Sequence, residues 1–174
     1  MRIGLAGWSL NRRFKAGRLV LLDYPKTVVE EFGLHVIELN SPFFESLEPK
    51  YLANLAARIK TAGCVVANIA VDGQGDLASL DEAERIQAVQ NHARWFKAAE
   101  VVDSPCIRAF TGGPHEGECT EAVLNACIKS FRALASIALD HGKTIIIENH
   151  GGVIARDPDN LVRIMQADET GHLG

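Results

Sequence analysis

Several polar residues stand at the ends of short apolar runs, the positions where parallel α/β proteins place their chemistry. Glu148 follows Ile145-Ile146-Ile147 without a break. A carboxylate there is costly to bury unless it is paired or bound to a metal. It reads as a metal ligand or acid–base group, or else as a strand-end carboxylate held in an ion pair. His150 lies two residues further on, where an imidazole suits a metal, a substrate oxygen or plain solvent. Arg108, within Cys106-Ile107-Arg108-Ala109-Phe110, can clamp a phosphate or carboxylate through two parallel N–H donors. It can equally pair with Glu38. Glu38 and Asn40 close the run Val36-Ile37-Glu38-Leu39-Asn40, Asp72 follows Val71, and Trp8 ends the first run, where an indole can wall a ligand or simply pack.

Side chains alternate along a strand. Glu148 then shares a face with Thr144 and Ile146, Arg108 with Cys106 and Phe110, and Glu38 with Val36 and Asn40. With those faces turned inward, the polar groups converge on one mouth. Other features carry less. Asp72-Gly73-Gln74-Gly75-Asp76 is superficially like an anion-holding loop but lacks the P-loop lysine. Arg85 and His92 fall inside a helical stretch, where packing or surface roles are the default. Phe43-Phe44 can line a pocket or staple a loop. Gly151-Gly152 permits close backbone approach or only a turn. Neither G-x-S-x-G nor H-E-x-x-H occurs.

The elements that must position these residues alternate. Strand-like runs are read at 3–9, 36–40, 64–71, 106–110 and 144–148. Helical stretches are read at 24–32, 49–61, about 80–101, 120–140 and 158–167, with Pro25 in a first turn, Gly33 as a C-cap and Asp81 as an N-cap. Five β-α units in a row imply a parallel sheet with right-handed crossovers. Two architectures compete: an open doubly wound sheet, and a (β/α)₈ barrel of which about five and a half units are present, since a unit takes roughly 31 residues. Residues 171–174 fall where a sixth strand would begin.

Length and composition set the frame. The chain has 174 residues, 47% hydrophobic and 23% charged, a globular balance that fits one domain. A formal charge of −4 disfavours generic nucleic-acid binding. No apolar run reaches the roughly 18 residues of a membrane helix. The start does not follow the order of a secretory signal. Arg12-Arg13 invites a twin-arginine reading, but Lys15, Arg18, Asp23 and Lys26 break the following stretch. The 4 Cys form no C-x-x-C pair and read as reduced thiols of a cytoplasmic protein.

Taken in order, six segments carry a resemblance. They are Leu21-Leu22-Asp23-Tyr24-Pro25-Lys26 leading to Glu31-Phe32-Gly33; Val36-Ile37-Glu38-Leu39-Asn40 with Phe43-Phe44; Val71-Asp72-Gly73-Gln74-Gly75-Asp76-Leu77; Arg85, Ala88, His92 and Trp95; Ile107-Arg108; and Ile147-Glu148-Asn149-His150-Gly151-Gly152. Together they resemble the sugar phosphate isomerase/epimerase family, the xylose isomerase-like barrels that also include type 2 apurinic endonucleases. The resemblance covers nearly the whole chain. It implies an α/β fold, a (β/α)₈ TIM barrel of which residues 1–174 form a single incomplete domain. It also implies a divalent metal (Mn, Mg, Co or Zn) at the C-terminal mouth.

The family's usual ligands are a Glu ending strand five, an Asp after strand six, a His at strand seven and a Glu at strand eight. Glu148 matches the first, and the other three are expected beyond Gly174. The implied reaction is isomerisation or epimerisation of a sugar, keto-sugar or polyol by proton transfer next to a carbonyl. Glu148 would be both ligand and acid–base group. By location, His150, Arg108, Glu38, Asn40 and Asp72 would hold substrate and Trp8 would shape its apolar side. The fragment alone is expected to be inactive. The alternatives are metal-dependent phosphodiester hydrolysis, as in the endonucleases, or a truncated barrel without a working site. The expected partner is a small sugar or polyol, with self-association through uncovered strand edges and no nucleic acid or membrane.

Overall fold

The computed structural model describes residues 3–174. Among the described residues there are five strands: β1 (Leu5–Ala6), β2 (Val36–Asn40), β3 (Val65–Val71), β4 (Cys106–Phe110) and β5 (Thr144–Glu148). Seven helices connect and follow them: α1 (Asn11–Lys15), α2 (Tyr24–Phe32), α3 (Pro49–Thr61), α4 (Glu82–Val101), α5 (Glu121–Asp140), α6 (Gly152–Ala155) and α7 (Pro158–Gln166). All neighbouring strands are parallel and lie in the order β1-β2-β3-β4-β5. A doubly wound sheet would switch that order, so the structure decides for the barrel topology.

The helices form where their ends are signalled. Pro25 and Pro49 occupy first turns, and Gly33, at φ 65°, closes α2 in the left-handed conformation. Asp81 and Thr120 cap α4 and α5 by accepting the N–H groups of Glu84 and Val123. The alternation of each strand divides the sheet into two unlike faces. Ile37, Leu39, Ile69, Ile107 and Ile145 are fully buried against the helices. Their neighbours Val36, Glu38, Asn68, Arg108, Phe110, Thr144, Ile146 and Glu148 are only half-buried, on the concave side. The helices pack side by side around the convex face, α3 on α4, α4 on α5 and α5 on α7.

Helix α5 is long and apolar enough, by length and composition, to cross a membrane. Lys129 and Arg132 interrupt its sequence, which is why no unbroken apolar run shows it. Half of its apolar window is buried, against α4, β5 and α7, as in a core helix.

Several sequence expectations need correction. The first run is a strand only at Leu5–Ala6, and Gly7–Leu10 turn into a 3₁₀ segment followed by α1. The cause is Asn40, whose side-chain oxygen accepts the Trp8 N–H at 2.8 Å and lies 2.8 Å from where a Cβ on Gly7 would stand. Trp8 therefore sits on a turn beyond the strand. A short helix, α6, begins at Gly152, where the sequence suggests close backbone approach or only a turn. The edge of β5 is not free either. Ile145 and Ile147 donate to the carbonyls of His172 and Gly174, and the Gly174 N–H donates back to Ile145, so residues 172–174 pair in parallel with β5.

Candidate active site

Strands β2, β3, β4 and β5 bring five charged or amide side chains together on the concave face. Glu38 and Glu148 flank Arg108, whose Nη2 lies 3.2 Å from Glu38 Oε1 and whose Nη1 contacts Glu148 Oε2 directly. Both readings of Arg108 and Glu148 as ion-pair partners are therefore realised at once, in one bridge across three strands. Asn68 donates to Glu38 Oε2 at 3.1 Å, and Asn40 donates to Glu38 Oε1 at 3.3 Å. Two buried atoms in this group, Asn68 Oδ1 and Arg108 Nε, have no hydrogen-bond partner among the described residues. An orphaned acceptor beside an orphaned donor costs free energy unless water or ligand fills it.

Asn68 reaches this group through a β-bulge, a feature no sequence pattern singled out. Val66 pairs with Ile37, but Glu38 pairs with Asn68, so Ala67 is an extra residue. The bulge resets the alternation and turns Asn68 to the concave side beside Glu38.

The remaining candidates surround the bridge. Asp72 stands close enough to feel Arg108, Glu38 and His150. Burial pushes its carboxyl above the ordinary aspartate range, Arg108 and His150 pull against that, and Glu38 adds to it. His150 is 70% exposed, with Nδ1 3.8 Å from Glu148 Oε1 and its ring 5.0 Å from that of Phe110. Asn40 is 2% exposed, and both ends of its amide are committed, to Trp8 N–H and to Glu38. Trp8 is 47% exposed, stacked on Phe43 at 5.8 Å with the Lys15 ammonium 5.1 Å above its ring.

The description of the xylose isomerase-like TIM barrel family matches residues 27–174. The chain belongs to this family. No curated protein matches it by sequence. Solved structures of similar shape include a D-psicose 3-epimerase determined in the presence of D-fructose, at 16% identity and TM-score 0.77, covering 99% of this chain. A 3-keto-D-glucoside 4-epimerase from E. coli is 15% identical over 88% of the chain, with TM-score 0.72. A xylose isomerase-like TIM barrel protein from Mycobacterium smegmatis, in complex with magnesium, is 13% identical over 90%, with TM-score 0.67. The chain spans 62%, 61% and 56% of their respective lengths, so it is a partial xylose isomerase-like barrel.

The donors present do not by themselves make a metal centre. Among the described residues, no three His, Cys, Asp or Glu side chains are grouped to hold an ion. A divalent cation normally takes four to six ligands, several from the protein. The Arg108 guanidinium already occupies Glu148, and it would repel a second cation there. Glu148 offers one carboxylate and no completed site.

Beside the mouth lies a cavity of about 470 Å³, lined by Gln74, Asp76, His92, Phe110, His115 and His150 together with glycine backbone. It adjoins the bridge because Phe110 is the register partner of Glu148. The sequence places His92 in a helix with a packing or a surface role open to it, and the structure buries it, at 3% exposed. Its i, i−4 hydrogen bond to Ala88 was not visible in the pattern.

Proposed function

We propose that the full-length protein isomerises or epimerises a sugar or related polyol by moving a proton on the carbon next to a carbonyl. The observation that carries this reading is the Glu38–Arg108–Glu148 bridge on the concave face of a xylose isomerase-like barrel. Solved neighbours that are ketose or keto-glucoside epimerases support it. Glu148, at the end of β5, acts as the carboxylate that removes or returns the proton. Such a positioned base contributes about 10²–10⁴-fold. Arg108 supplies N–H donors where negative charge grows on the substrate oxygen. Asp72, with its carboxyl raised by burial, supplies a hydrogen bond to a hydroxyl, as does His150 from the rim. Trp8 closes the apolar side.

The magnesium-bound relative supports a divalent metal in the closed barrel. This stretch would contribute Glu148 alone to that set, and only once Arg108 has released it. All four cysteines are free, which supports a reducing, cytoplasmic location.

The test is solvent exchange. The full-length protein is incubated in ²H₂O with D-fructose, D-tagatose or D-psicose, and deuterium at the carbons next to the carbonyl is followed by NMR. Exchange is expected with at least one of them, falling at least about 100-fold in Glu148→Gln. Exchange that Glu148→Gln leaves unchanged removes Glu148 from the reaction.

A further inference from the structure

The cavity beside the mouth is built by three loops that lock one another. Asp76, on the β3–α4 loop, accepts at Oδ1 the N–H groups of Ala78 and of Gly113, on the β4–α5 loop, both at 2.8 Å. The β4–α5 loop holds the next one through Val153 N–H donating to the Pro114 carbonyl at 2.8 Å. Gly75 lies against α4 so closely that a Cβ there would meet the Ala88 Cβ at 3.0 Å, and Asn91 donates to the Gln74 carbonyl at 3.2 Å. The walls are fixed by hydrogen bonds to backbone groups, from Asp76, Asn91 and between Val153 and Pro114, so the cavity is preformed.

His92 sits at its back. The Nδ1 of the ring lies 2.8 Å from the Ala88 carbonyl, which can only accept, so Nδ1 carries the proton. Burial favours the neutral ring. Nε2 is then a bare lone pair, without a partner among the described residues, in a side chain that lines the cavity. It asks for a hydroxyl or N–H donor. Among the described residues no Lys or Arg side chain lines the space, and Asp76 brings a carboxylate to it. The Arg156 guanidinium is committed to the His115 carbonyl, and that of Arg108 to Glu38 and Glu148. A phosphate would meet a carboxylate and a neutral imidazole, whereas a row of hydroxyls would meet acceptors.

The geometry points to this cavity as the seat of the non-reacting, hydroxyl-bearing end of the substrate, uncharged, with His92 Nε2 accepting from one of its hydroxyl groups. This rests on the sugar reading above and adds where the sugar's tail goes and which buried residue holds it. His150 links the two regions, since its ring lines the cavity while its Nδ1 lies 3.8 Å from Glu148. A chain of carbons held at Glu148 can therefore extend past His150 toward His92.

The test uses the full-length protein and two probes, D-fructose and D-fructose 6-phosphate. Histidine side-chain ¹⁵N resonances are followed while each is titrated, and affinities are measured by calorimetry. The unliganded spectrum is expected to show His92 as the neutral Nδ1–H form. D-Fructose should then move the His92 Nε2 resonance upfield, as an acceptor that gains a donor. His92→Phe, which keeps a ring but no acceptor, should weaken D-fructose about fivefold, the loss of one neutral hydrogen bond. D-Fructose 6-phosphate should bind more weakly than D-fructose. If D-fructose saturates the protein while the His92 resonance stays still, the cavity assignment is wrong and the sugar reading stands. Tighter binding of the phosphate ester overturns the uncharged end. No saturable binding of D-fructose overturns the assignment and counts against the sugar reading as well. Should His92→Phe fail to fold, the resonance of the unsubstituted protein decides alone.

Discussion

Replacing Arg108 by Met tests the bridge directly, because Met keeps the length of the stem and removes the charge. Glu38 and Glu148 would then face each other without the cation between them. Breaking a buried ion pair by deleting one partner costs about 3–5 kcal/mol. The three side chains here keep 17–25% of their exposure, so water screens part of that, and about 2–3 kcal/mol is expected. For a chain of this size that lowers Tm by about 4–12 °C. The decisive feature is a change of sign. Glu148→Gln in the natural background loses an attraction to Arg108 and should cost about 1 kcal/mol. In the Arg108→Met background the same change removes a repulsion from Glu38 and should stabilise. Urea unfolding of the two single variants, the double variant and the parent closes the cycle. A loss below about 1 kcal/mol for Arg108→Met, or a Glu148→Gln effect equal in both backgrounds, would refute the reasoning.

Two further outcomes follow from single contacts. A Cβ on Gly112 would stand 2.1 Å from Asp76 Oδ1, at φ +73°; Gly112→Ala should therefore expel Asp76 from its two N–H donors, cost about 2–4 kcal/mol, and speed amide exchange at Ala78 and Gly113. Unchanged exchange there would show that Asp76 does not lock the loops. On the surface, a hydrogen bond from Lys97 first, and from His141 second, holds the Glu100 carboxyl down at about 2. Its contribution to stability is present above the ordinary value of 4.5 and is lost as pH falls from there toward about 2. The stability gap between the parent and Glu100→Gln, measured by thermal unfolding across pH, should close over that window, and a gap that is flat with pH would contradict it.

Much of the architecture was legible because its signals are local. Pro25, Pro49 and Gly33 mark helix ends through backbone chemistry that acts within one turn, and the alternation in 106–110 and 144–148 assigns faces without knowledge of neighbours. Parity alone put Glu38, Arg108 and Glu148 on one side, which is where they meet. The start of the chain was misread because Asn40, more than thirty residues away, takes the Trp8 N–H and ends the strand. The cavity was illegible for the same reason. Its walls are joined by Asp76 to Gly113 and by Val153 to Pro114, contacts between loops that no spacing in one segment encodes. For His92 the pattern leaves packing and surface roles open, because a helical histidine carries no mark of which ring nitrogen remains bare.

The extra residue in β3 also bears on how this chain lines up with its relatives. Ala67 is absorbed by the sheet without disturbing the strand on either side: Val66 stays opposite Ile37, and Asn68 takes the place opposite Glu38. Along the chain, however, Val66 and Asn68 are two apart while facing opposite ways. A gapless alignment against a barrel with a regular third strand would therefore match the wrong faces on one side of Ala67. It would set a core valine against a mouth residue, or Asn68 against a core position. A one-residue gap at Ala67 restores both faces at once. Homology carried residue by residue across this strand must be counted from the two ends toward the bulge, never through it.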